Sequence, residues 1–437
     1  MTATPTTRVT DSRAGTGAPV PSVYDLTRPE VIADPWPWYD RLRERGPVLW
    51  DPYSGSWLLT RYADITTVLA DRDNFTVWMN HERRAASAPP RMRRAFFYLD
   101  RIVAFVDSAD HARHRRVLAG LFSPANTARL DREISDLVTA AVDRVTATGR
   151  MEVVADLASR VPLQVISGLL GCQDVDLATL RRWSAAWGAV VAAPGHLLIG
   201  VDTDQILADV DALIDYLVDL VAAHRAHHRD TVTAALVAAA DVGDLDHDEV
   251  VGNLMMLLAA GNETTANVIA NAVAALADDP PLADLLRDVP DLLPAAVEEL
   301  GRLHPSNQYT ARIARTDHTI HGQRIAAGQS VVLMLACANR DPDAFSDPDT
   351  LLLDRPATTR HLGFGHGPHY CFGAALARLE IRHVLAGVLA RCPDLRPAGT
   401  REWRANPNLR GLATLPVAFR PTGNQNTQGP EHEQETR

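Results

Sequence analysis

The stretch HLGFGHGPHYCFG, from His361 to Gly373, packs one cysteine, three histidines and four glycines into thirteen residues. Five uses of Cys371 compete. A disulfide needs a partner, yet Cys172, Cys337, Cys371 and Cys392 show no regular spacing and fit a reducing compartment. A zinc site would draw on His361, His366 and His369, but these crowd one loop without a CxxC pair or a second knuckle. A nucleophile would sit at the start of the helical sequence AALARLEIRHVLAGVLARC, where a helix N-terminus favours a thiolate and His369 supplies a base. A buried structural cysteine is the ordinary fate of a lone Cys. Neither of the last two readings uses the glycines. A haem ligand uses every feature: a thiolate for the iron, loop amides to tune it, and glycines that let a flat ring approach the backbone. Phe364 would pack beside the ligand and His369 would pair with a propionate.

A second chemical cluster is Gly261-Asn262-Glu263-Thr264-Thr265, in the middle of a long helical pattern. Glycine inside a helix costs about 0.5–1 kcal/mol relative to alanine, and buried polar groups cost more unless paired. Either the stretch faces solvent, with Thr264 bonded back to the carbonyl four residues earlier, or it is a functional break in the pattern.

The cysteine loop resembles the haem-binding signature of the cytochrome P450 family, FGxGxHxCxG. Phe364, Gly365, Gly367, His369, Cys371 and Gly373 fill every fixed position. The resemblance implies that Cys371 is the proximal thiolate ligand of haem b. Other stretches follow in family order. ADPWPWYDRLRERGPV is similar to the family's N-terminal helix. DHARHRR is similar to its HxxxR pattern, which implies that His111 and Arg115, on one helix face, bind haem propionates. AAGNETT is similar to its oxygen-activating helix. There the resemblance implies that Gly261 leaves room for oxygen, Thr264 hydrogen-bonds the oxygen being split and Glu263 relays protons. Glu299 and Arg302 match ExxR. About one such match is expected by chance in a chain this long, so its place in the order carries the weight. With Arg355 it implies a structural ion pair. Arg312 in YTARIARTD implies a further propionate ligand, ANRDPDAFSDPD matches the meander region, and RGLATLPVAF is similar to the last β-hairpin.

These groups must be positioned by helices. ILADVDALIDYLVDLV has helical spacing. Asp246 and Glu249 form a capping-box pattern that opens about thirty residues of helix, roughly 45 Å, stopped by Pro280. Its first half, VVGNLMMLLAA, is apolar on nearly every face, as in the core of a large protein. Strand signals are short: SWLLT, IARTDHTI, SVVLML and ATLPVAF. The expected fold is mostly α with small β-sheets, a cytochrome P450 fold with haem between the long helix and the cysteine loop. Residues 25–420 are expected to form one domain, with polar tails at 1–24 and 421–437.

The net charge of −11 argues against a nucleic-acid binder. The N-terminus lacks a signal-peptide core, and no apolar run reaches a membrane span, so a cytoplasmic protein without a membrane anchor is expected. The resemblance implies a haem-thiolate monooxygenase that uses O₂. Without a fused reductase its electrons come from NAD(P)H through a ferredoxin reductase and a ferredoxin, which Arg113 and Arg116 would meet by charge complementarity unless they are simply solvated. Substrate contacts are expected at Trp78, Met79, Phe96, Phe97, Leu257, Ala260, Tyr309 and Leu409. The aromatic members suit an apolar ligand. Arg83, Arg84, Arg91, Arg93 and Arg94 would attract a carboxylate or an acidic carrier protein bearing the substrate, or form a solvated loop. A small natural-product intermediate, hydroxylated or epoxidised, is the expected substrate. The alternatives are a coupling or rearranging enzyme, a peroxygenase, and a non-catalytic haem-binding scaffold.

Overall fold

The computed structural model describes residues 21–77, 90–192, 203–226, 230–356 and 358–422. Helices dominate. Those that bear on the site are α1 (Trp36–Arg45), α2 (Arg93–Leu99), α3 (Ser108–Leu121), α4 (Arg160–Leu170), α5 (Leu177–Ala192), α6 (Thr203–Ala226), α7 (His247–Asp278), α8 (Leu293–Leu303) and α9 (Ala374–Arg391).

The long helix is α7. Asp246 accepts from the Glu249 amide at 2.7 Å, and Glu249 accepts from the Asp246 amide at 2.8 Å, so two orphan donors are satisfied reciprocally. The helix stops where Asp279 caps the next one, whose first residues are Pro280 and Pro281. Every residue from Glu249 to Ala259 is buried, because α4, α5, α6 and α9 pack around this helix. Burial breaks abruptly at Ala260, which is exposed. A helix apolar all round belongs in a core, so an opening halfway along it marks a place where the core gives way to a site.

The main sheet has five strands, β1 (Val48–Asp51), β2 (Ser56–Leu59), β3 (Phe75–Thr76), β4 (Thr310–Ala314) and β5 (Ser330–Leu333), in the order β1-β2-β5-β4-β3. Only the β2–β5 pairing is parallel. Along β4, Arg312 is buried while Ala311 before it is exposed, the alternation of a strand with one packed face. RGLATLPVAF does not form a hairpin with itself. Leu412–Thr414 pairs with Glu402–Trp403, and Pro416–Ala418 pairs with Arg150–Glu152 and Arg396–Pro397.

Hydrogen bonds tie down both ends of the described chain. Ser22 and Asp25 form a capping box on the turn Val23–Thr27. The Ser22 hydroxyl and Val23 amide donate to Asp51 at 2.8 and 3.1 Å, and Val23 is buried. At the other end the Thr422 hydroxyl donates to the Arg391 carbonyl at 3.1 Å. No helix among the described residues is long and apolar enough to cross a membrane.

Candidate active site around Cys371

The cysteine loop is held by its own backbone. The Cys371 amide donates to the Phe364 carbonyl at 2.9 Å and the Tyr370 amide to Gly367 at 3.0 Å. Gly365 and Gly367 have φ of 73° and 69°, the left-handed region that side chains disfavour. A Cβ on Gly367 would also lie 2.5 Å from the Leu69 carbonyl oxygen. The glycines therefore let the loop fold tightly against the helix that ends at Ala70. Cys371 itself is exposed, although the protein around it is dense enough that desolvation pushes its thiol up. The Gly373 amide, Arg115 and Arg378 pull the other way and favour a thiolate. His361 does not join the sulfur: its Nδ1 accepts from the Gly363 amide at 3.1 Å and its Nε2 lies 3.5 Å from Glu298. No group of three or more His, Cys, Asp or Glu among the described residues is placed to hold a metal ion.

Four basic side chains converge beside the loop. His111 on α3 packs against His369, with ring centroids 3.9 Å apart and the planes tilted by 35°. Arg115, one turn further on α3, donates to the Tyr370 carbonyl. Arg312 comes from β4, and it lines a small cavity with His369 and Asp107. Burial pushes His111 down to about 4, with Arg115 adding to the effect. Burial and the neighbouring His111 take His369 to about 3. Burial lowers Arg312 to about 10, opposed only by Asp107. His111 Nε2 is buried without a partner among the described residues, and Arg312 donates only to its neighbour's carbonyl, Ala311, at 2.8 Å. Buried basic groups this close together are costly unless an anion joins them. An exposed sulfur beside such a cluster fits haem b, whose iron would take the thiolate and whose two carboxylates would meet the cations.

On α7 the Thr264 hydroxyl donates to the Ala260 carbonyl at 2.7 Å, leaving its oxygen free to accept. Glu263 turns elsewhere. Its carboxylate lies 3.6 Å from Arg404, and a Cβ on Gly188 of α5 would come within 2.9 Å of it. Burial raises the Glu263 carboxyl and Arg404 opposes that. Gly261 sits at a close helix contact. Its Cβ direction points at Ile166 of α4, 3.1 Å away, so it permits close helix packing. The small residue at the opening is Ala260, one position earlier.

The Glu299 carboxylate accepts from Arg302 at 2.8 and 2.9 Å, from Arg355 at 2.9 Å and from the Leu352 amide at 3.0 Å. Arg302 also donates to the carbonyls of Asn339, Pro348 and Thr350. Glu299 and Arg302 are buried and Arg355 is partly so. The cluster ties α8 to the segment that leads into the cysteine loop.

The expected substrate contacts divide. Phe96 and Leu257 are buried in one apolar cluster. Phe97 is at the surface, 40% exposed, with the Arg101 guanidinium 3.6 Å over its ring, so it does not line an interior. Tyr309 packs in a different cluster, with Val23, Trp38 and Met334, and burial pushes its phenol up to about 12. Leu409 bridges to Asn307. Trp78, Met79, Arg83 and Arg84 lie outside the described residues. Arg91 and Arg94 are paired with Asp204, Asp211 and Asp215 of α6. Arg113 is no free cation either, since it binds both oxygens of Glu249 at 2.6 Å. Arg116 is exposed, 3.6 Å from Asp244.

Sequence reasoning missed Arg404, Glu298 and Arg378. Arg404 carries no local signal. Arg378 stands seven residues after Cys371, two helical turns on, and Glu298 adjoins Glu299, so spacing from known residues was the available clue.

The family model described as Cytochrome P450 matches residues 56–419. The chain is 34% identical over 413 residues to the cytochrome P450 monooxygenase PikC of Streptomyces venezuelae, covering 92% of this chain and 95% of that protein. It is 34% identical over 391 residues to the mycinamicin IV hydroxylase/epoxidase of Micromonospora griseorubida, covering 87% and 94%. Among solved structures it is similar to P450BioI in complex with acyl carrier protein ligated to hexadec-9Z-enoic acid, with a TM-score of 0.82, 30% identity, and coverage of 90% of this chain and 99% of that one.

Proposed function

The chain belongs to the cytochrome P450 family and is a monooxygenase, and we propose that it hydroxylates or epoxidises a small, apolar natural-product intermediate. In this reading haem b is held by Cys371, with His111, His369, Arg115 and Arg312 on its carboxylates. Electrons pass from NAD(P)H through a ferredoxin reductase and a ferredoxin. The observation that carries it is the exposed Cys371 sulfur beside a buried cluster of basic side chains, His111 packed on His369 with Arg115 and Arg312 close by. When bound, the haem iron supplies the activation of O₂, one atom going to the substrate and the other to water.

The chain's own residues do the rest. The Gly373 amide supports the Cys371 thiolate. Cationic side chains neutralise the two carboxylates, in charge-assisted contacts that fix the ring's orientation. The Thr264 hydroxyl, anchored on the Ala260 carbonyl, presents a lone pair to accept a proton donor, and Glu263 carries protons from the Arg404 side. Phe96, Leu257 and Ala260 supply apolar surface that excludes water. The pairing of Arg91 and Arg94 with aspartates of α6 favours a free substrate over a carrier-bound one.

The test is the absorption spectrum of the dithionite-reduced protein under carbon monoxide, followed by turnover with a ferredoxin and its reductase. A strongly red-shifted Soret band and O₂-dependent product are expected. A histidine-type band in intact protein, or no haem uptake, would sink the reading.

A further inference from the structure

Arg378 grips the cysteine loop on both sides. Its Nη1 donates to the Tyr370 hydroxyl at 3.3 Å, and Tyr370 immediately precedes the proposed ligand. Its guanidinium lies 4.4 Å over the ring of Phe364, the residue whose carbonyl accepts the Cys371 amide. Its Nε and Nη2 bind the Glu298 carboxylate of α8 at 2.5 and 2.9 Å, the bidentate geometry that orients a guanidinium. His361 adds a third tie, with Nε2 3.5 Å from Glu298 and Nδ1 accepting from the loop amide of Gly363.

We infer that the Glu298–Arg378 ion pair is a positioning element that sets the charge balance at Cys371, and so the reduction potential of the haem that this loop would hold. This rests on the haem-thiolate reading above. The pair is close to neutral as a unit. Burial acts to raise the Glu298 carboxyl, but hydrogen bonds from His361 and Arg378 outweigh it and hold it at about 2. Arg378 holds its positive charge against Tyr370 and Phe364, the residues that frame Cys371, and the Glu298 carboxylate balances it. Reduction adds one electron to the centre, so a nearby positive charge favours it and a negative charge opposes it.

The two partners therefore have opposite effects. In the haem-loaded full-length chain, Glu298→Gln leaves Arg378 unbalanced and should raise the ferric/ferrous midpoint potential. Arg378→Gln leaves Glu298 unbalanced and should lower it. Each shift should be about tenfold in the reduction equilibrium, or about 59 mV for a one-electron couple. Arg378→Lys keeps the charge and Tyr370→Phe changes none, so both should stay near wild type. The measurement is a spectroelectrochemical titration, with the Soret band of the reduced carbon monoxide complex recorded for each variant. A purely structural role would convert that band without sign-opposed shifts. If Arg378→Gln cannot hold haem, Glu298→Gln and Arg378→Lys decide: a rise in the first with none in the second supports the inference. Shifts of the same sign, or none, overturn it. A wild-type protein without the red-shifted band would instead overturn the haem-thiolate reading itself.

Discussion

The Glu263 carboxylate on α7 lies 3.6 Å from the Arg404 guanidinium, which follows the strand Glu402–Trp403 near the chain's end. Burial raises the carboxyl and Arg404 counters it. Removing the cation therefore raises Glu263 further, and its neutral form persists to higher pH. In Arg404→Leu the acid limb of the pH profile for product per NAD(P)H should move to higher pH. Arg404→Lys should restore it, and Glu263→Gln should flatten it.

Thr264 offers a separate test of proton delivery. Its hydroxyl is positioned by the Ala260 carbonyl, so Thr264→Ala removes an oriented hydroxyl together with only one methyl group. Product per NAD(P)H should fall by up to the roughly 10²-fold that a positioned proton-transfer group contributes, with peroxide released in its place. An unchanged coupling ratio would exclude the role.

Gly261 and Ala260 should separate stability from access. Gly261→Val drives a side chain into Ile166 and should cost about 1–3 kcal/mol in urea unfolding. Ala260→Leu fills exposed space, so stability should change by less than about 0.5 kcal/mol while carbon monoxide association slows. The reverse pattern would place the oxygen-space role at Gly261.

Removing Arg302 should damage the fold rather than the chemistry. Arg302→Leu leaves the buried Glu299 carboxylate short of two hydrogen bonds and strands three carbonyls. The loss should be about 3–5 kcal/mol, read from unfolding of the haem-free chain.

Acid should loosen the junction of α3 and α7. Burial acts to raise Glu249, but hydrogen bonds from Arg113 and His114 outweigh it and take its carboxyl from 4.5 to about 2. A carboxyl depressed in the folded state stabilises fully above its unfolded value. That contribution is lost as pH falls from about 4.5 through 2. Arg113→Met should flatten this acid limb of the melting temperature, relative to wild type, across that window.

The sequence by itself determined the parts whose physics is local. The capping box at Asp246 and Glu249 and the breaker at Pro280 bound α7, since caps and prolines act within a turn or two. The glycines of the cysteine loop were legible because left-handed backbone needs them wherever the loop sits. Glu299, Arg302 and Arg355 could be grouped because their order in the chain matched a known pattern, and their side chains do meet. Tertiary structure decided which neighbour each face meets. Helical spacing puts Gly261 and Ala260 side by side, but only the position of Ile166 shows that one packs and the other opens. Only the packing of the chain's start against Tyr309 shows it partly buried beside Val23 and Trp38. Arg113 reads as a surface cation until α3 is laid against Glu249 of α7. A side chain's role depends on what lies across from it, and periodicity along one element carries no information about the partner element's register.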